Sequence, residues 1–140
     1  MFRHLGAVVI GLFLAVALVA AAETVSHFAY PPPAGLDFAD AAAVKDWVAT
    51  LPKGAFALVL IGWTLGAFAG TASAVLIAGR RPAAGCLVAV LFLAATLFNL
   101  VTLPSPPWFQ IAGVLLVVTG PMLAILKLSR TSPQAPLAQA

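Results

Sequence analysis

The chain has 140 residues, of which 63% are hydrophobic and 8% charged, against roughly half and a quarter in an ordinary soluble domain. Its mean hydropathy of +1.11 excludes a disordered chain and a soluble globular domain. The net charge of +3 comes from 7 Lys+Arg against 4 Asp+Glu, a scarcity of acids and not a basic patch for nucleic acid.

What remains is an integral membrane protein. At about 20 apolar residues per crossing, the length holds four spans and little else. The first uncharged run covers residues 5–22. At 1.5 Å per residue it reaches roughly 27 Å, close to the thickness of a hydrocarbon core. Arg3 before the run, and Ala20-Ala21-Ala22 ahead of Glu23, also fit a signal peptide. The run is longer than the roughly 7–15 apolar residues of such a leader, which favours a retained helix.

Residues 23–53 form the long connection, taken as external. Tyr30-Pro31-Pro32-Pro33-Ala34-Gly35 is expected to be extended and then to turn. From Asp37 to Leu51 the pattern changes. Val44, Trp47, Val48 and Leu51 recur at helical spacing between Asp40, Lys45, Asp46 and Thr50, which predicts an amphipathic helix. Asp37 is the expected N-cap, and Pro52 the stop. Such a helix either lies in the membrane interface with Trp47 as anchor or caps the outer ends of the spans.

The second span, residues 54–78, contains Gly62-Trp63-Thr64-Leu65-Gly66-Ala67-Phe68-Ala69-Gly70, with Ala74 one turn further on. A spacing of four places Gly62, Gly66, Gly70 and Ala74 on one helix face. A face without side chains admits another backbone closely. The partner is a span of the same chain or a second copy; the stripe alone does not separate the two. Trp63 lies too deep for an interface anchor and is expected to pack.

Gly79-Arg80-Arg81-Pro82 is a tight turn into the third span, residues 83–103. Cys86 is expected to be a small packing residue there. Pro104-Ser105-Pro106-Pro107 separates that span from the fourth, residues 108–126, because proline lacks the N–H that a continuing helix needs. Thr119-Gly120-Pro121 is expected to kink the fourth span. Residues 1–130 thus read as a single all-α membrane domain, a four-transmembrane-helix bundle with one periplasmic amphipathic helix. Residues 131–140, polar and proline-containing, read as a disordered cytoplasmic tail.

Positive charge sets the orientation. Arg3, Arg80, Arg81, Lys127 and Arg130 fall on one side of a four-span thread. Lys45, Lys53 and all four acids (Glu23, Asp37, Asp40 and Asp46) fall on the other. Both termini are therefore expected in the cytoplasm.

Chemistry-bearing residues are few. Glu23 and His27 share a helix face if the first span continues outward, and Asn99 and Gln110 lie near the same surface. The four form a candidate polar site able to carry a proton or hold a cation. The plainer reading is interfacial residues that meet water. A single cysteine and two distant histidines, His4 and His27, give no metal motif. No nucleotide-binding, metalloprotease or serine-nucleophile motif is present. The expectation is a non-enzymatic membrane protein of structural or accessory type, without cofactor. Its partners are the lipid bilayer and either a second copy or another membrane protein. The alternative is a small transporter or channel-like subunit using the outer polar site.

Several features together resemble a class of small four-span bacterial inner-membrane proteins. They are Glu23, Tyr30-Pro31-Pro32-Pro33 with Gly35-Leu36-Asp37, the glycine stripe ending in Ala78-Gly79-Arg80, Asn99, and Pro104-x-Pro106-x-Trp108-Phe109. The resemblance implies the bundle and its membrane, and no activity.

Overall fold

The computed structural model describes residues 2–129. It contains five helices in the order α1 (Phe2–Ala29), α2 (Ala41–Thr50), α3 (Lys53–Ile77), α4 (Pro82–Thr102) and α5 (Pro107–Leu128), with no strand among the described residues. Four of them, α1, α3, α4 and α5, are long and apolar enough to cross a membrane. The tail expected at 131–140, and Arg130, lie outside the described residues.

The first helix is longer than its uncharged core. It continues through Glu23 and His27 to Ala29, because nothing before Pro31 removes a backbone donor. The Tyr30 amide still donates to the Ser26 carbonyl at 2.8 Å. Residues 23–29, expected in the external connection, therefore belong to α1.

The α3 helix sits at the centre of the bundle and touches α1, α4 and α5, while α4 also touches α1 and α5. Its glycine stripe faces α1. A Cβ added at Gly62 would meet the Ala22 methyl, one at Gly66 the Ala15 carbonyl oxygen, and one at Gly70 the Gly11 carbonyl oxygen. The reverse also holds: a Cβ at Gly11 would stand 2.6 Å from the Gly70 oxygen and 3.0 Å from the Ala74 methyl. Small residues at Ala7, Gly11 and Ala15 on α1, again four apart, form the complementary surface; all three are buried. Backbones held this close exchange dense van der Waals contact, which drives helix association where water is absent. Of the two partners left open for the stripe, the one in contact is a span of the same chain.

The α3–α4 turn follows from two residues. Ala78 is the last cap of α3, Gly79 follows at φ +78° and Arg80 at φ +63°. The Arg80 amide donates to the Val75 carbonyl at 2.8 Å and the Gly79 amide to the Leu76 carbonyl at 3.1 Å. This paired closure is the Schellman arrangement, in which glycine takes the left-handed position without steric cost. Arg3 reaches across from α1 and donates Nε–H to the Ile77 carbonyl at 2.8 Å. It thereby satisfies an orphan acceptor and places a cation at the negative end of the helix dipole.

Two details differ from expectation. The helix after the proline run begins at Ala41, and its N-cap is Asp40, not Asp37. The Asp40 carboxylate accepts from the amides of Ala42 at 2.9 Å and Ala43 at 3.3 Å. Asp37 is occupied one turn earlier, accepting from Ala39 N–H at 2.8 Å; this local bond turns the chain before the helix can start. Cys86, expected to pack, is exposed. It lies in a shallow apolar groove between α4 and α5, on a face of α4 turned from the core. The α5 helix runs from Pro107 to Leu128 with Pro121 buried inside it.

Candidate functional site

Continuation of α1 past residue 22 creates the site. Glu23, Ser26, His27 and Tyr30 follow one another at intervals of three, one and three, which is one face of a helix. All four line a cavity of about 210 Å³ at the end of the bundle away from Arg3 and the α3–α4 turn. Asn99, one turn inside the end of α4, joins them with Leu103 and Ser105. Glu23 and Asn99 are half-buried and His27 is exposed.

Gln110, the fourth member of the expected polar group, is not part of the lining. It stands behind it, donating from Nε2 to the Ser105 carbonyl at 3.1 Å and to Ser105 Oγ at 3.4 Å. It therefore holds the loop that brings Ser105 to the rim. The structure brings together three of the four residues singled out from sequence and gives the fourth a positioning role.

The cavity floor is aromatic and aliphatic. Trp63, Phe56 and Phe109 are buried and line it with Ala55 and Val59. Phe109 stands 5.2 Å from Phe56 and 5.3 Å from Trp63, ring centre to ring centre, at interplanar angles of 61° and 55°. Trp108 adds an edge contact to Phe109 at 6.1 Å. Tilted pairs of this kind contribute roughly 0.5–1.5 kcal/mol each beyond area burial. Trp63 packs, as its depth predicts. It lies against α5 because Gly113 has no side chain there: a Cβ at Gly113 would sit 3.1 Å from the indole Cζ3. Tyr30 closes the other side, its hydroxyl lying over Gly54.

The α2 helix covers the cavity. No Cα of α2 comes within 8 Å of a Cα in another helix, so its contacts are made by side chains alone. Trp47, Val48 and Leu51 line the cavity, and Phe38 braces Trp47 edge-on at 6.2 Å. Opposite them Lys45, Asp46 and Thr50 are exposed. The spacing read from sequence identified this apolar edge. Its target was not legible, because the Glu23 face of α1 and the Asn99 turn of α4 are distant in the chain.

Hydrogen bonding fixes part of the chemistry. His27 Nδ1 lies 2.8 Å from the Glu23 carbonyl oxygen. A carbonyl only accepts, so Nδ1–H is the donor of this contact, and Nε2 has no partner among the described residues. The Glu23 carboxylate forms no ion pair or hydrogen bond among the described residues. Lys45 and Lys53, the cations of this end, are exposed and outside the lining. Glu23 is thus the one acid in the wall, and neither lysine nor arginine accompanies it.

The other half of the bundle is different. Ser73 donates to the Gly70 carbonyl at 2.9 Å, and Thr119 to the Leu115 carbonyl at 2.8 Å, each within its own helix. Thr71 is fully buried with its hydroxyl unpartnered; nothing in the surrounding packing explains it.

Compared with known proteins, the chain matches no protein family, no curated protein and no solved structure.

Proposed function

We propose that this is an accessory, non-enzymatic protein of the bacterial inner membrane whose working part is the cavity beneath α2, where it binds a small apolar-bodied molecule. The supporting observation is the asymmetry of the bundle. At one end Glu23, Ser26, His27, Asn99 and Ser105 share a cavity wall with apolar side chains. At the other end the helices close through Gly11, Gly70, Ala74 and Val88, and the hydroxyls of Ser73 and Thr119 are engaged within their own helices. A transporter requires a polar route through both leaflets, since ionisable and polar groups are costly in hydrocarbon. The second reading, a channel-like or transport subunit, has only the outer half of such a route in its favour.

Orientation follows the charge distribution. Arg3, Arg80, Arg81 and Lys127 mark the cytoplasmic end and the acid-bearing connection faces the periplasm. The first helix is kept in the mature protein, a reading supported by its cover over the whole glycine stripe. Its loss would expose that stripe to lipid.

Reconstitution tests the choice between accessory protein and transporter. Vesicles containing the protein and an internal pH dye are given a pH gradient. The accessory reading expects decay no faster than in empty vesicles. A faster decay that disappears in Glu23→Gln would sink it in favour of the transport subunit.

A further inference from the structure

We infer that the cavity selects a small organic monocation: an ammonium group on an apolar body, with the charge at Glu23 and the body among the aromatic rings. This rests on the reading of the cavity as a binding site and adds the class of ligand.

Three observations carry it. The first is charge. Glu23 is half-buried in the lining and has no counter-ion, while Lys45 and Lys53 face outward. A carboxylate in such a position gains most from a ligand that brings the missing positive charge. The second is the wall. Tyr30, Trp47, Phe56, Trp63 and Phe109 present aromatic surface around the same space, and ring faces attract cations while accepting apolar groups. The third is size. The volume of about 210 Å³ exceeds the roughly 150 Å³ of an apolar cavity that takes up benzene, so one ring and a short arm fit.

The lining also disfavours other ligands. No lysine or arginine lines the cavity, so a carboxylate or the phosphate of a lipid headgroup would meet the Glu23 charge with His27 as its one basic neighbour. That argues for a free molecule and against a phospholipid. Asn99 and Ser105 supply acceptors at the rim for the remaining ammonium protons.

Three isosteres that differ only at the head test this: 2-phenylethylammonium, 2-phenylethanol and phenylacetate. Binding to the full chain in phosphatidylcholine nanodiscs is followed by calorimetry and by tryptophan emission, since Trp47 and Trp63 line the cavity. Empty discs correct for partitioning. The expected result is saturable binding of the cation about tenfold tighter than the alcohol, the scale of one charge-assisted contact, and weakest binding of the carboxylate. In Glu23→Gln the cation is expected to lose its advantage over the alcohol. Equal binding of cation and alcohol to the native chain, or an unchanged preference in Glu23→Gln, overturns the ligand class and leaves the cavity a binding site. Saturable binding of none of the three overturns both.

Discussion

At the residue scale, one absent methyl group sets how closely α1 and α3 approach. Gly70 and Gly11 each face the other's carbonyl oxygen, and an added Cβ on either would lie 2.6 Å from it. The obstruction is backbone, so no rotamer change relieves it. Gly70→Ala is therefore expected to destabilise the bundle by about 1–3 kcal/mol, the usual cost of overpacking, and Gly66→Leu by more. Gly6, in the same helix as Gly11, has nothing within 4 Å of an added Cβ. Gly6→Ala is expected to be neutral or to stabilise by up to about 1 kcal/mol through helix propensity. Thermal unfolding of the three variants in one detergent checks the order; a Gly70→Ala protein as stable as Gly6→Ala would contradict the packing described. The glycines of α3 were legible in sequence because their spacing is regular. Ala7, Gly11 and Ala15 carry the same spacing, but alanine is so common in this chain that the stripe does not stand out.

At the element scale, α2 depends on a local cap and on side-chain contact, with no helix backbone nearby. Asp40→Ala removes the acceptor for two amides and is expected to cost about 1 kcal/mol of helix stability. Hydrogen exchange should then quicken across 41–50, with α3 unchanged. Asp37→Ala removes a single turn bond and should leave the α2 exchange rates close to native. Faster exchange in Asp37→Ala than in Asp40→Ala would restore Asp37 as the cap. Both aspartates lie in the right composition for an N-cap, and sequence cannot show that Asp37 is already engaged with Ala39. The extension of α1 is a similar case. Charge marks where hydrocarbon ends, whereas a helix ends where its hydrogen bonds do, and here that point is set by the prolines after Tyr30.

At the scale of the whole molecule, α1 is a wall of the bundle and not an appendage, and the glycine stripe is consumed in holding it. Native mass spectrometry of the gently purified protein is expected to give the full-length mass. A species lacking residues 1–22 would mean that the stripe meets lipid or a second copy instead. Orientation has its own test. In a Cys86→Ser background, Ala34→Cys is expected to react with a membrane-impermeant maleimide added outside spheroplasts. Protection until the cells are lysed would reverse the assignment of the two ends.

Sequence alone locates four segments apolar enough to cross a membrane, because hydrocarbon excludes charge and demands internally satisfied backbone over a fixed thickness. It also places the acids and the amphipathic stretch together at one end, since charge counts need no coordinates. Only the tertiary structure decides that the stripe meets α1, because a small-residue face accepts any backbone of complementary shape. The same holds for the cavity. Glu23, Asn99, Trp47 and Trp63 lie on four different helices, and packing rather than chain proximity brings them to one cavity.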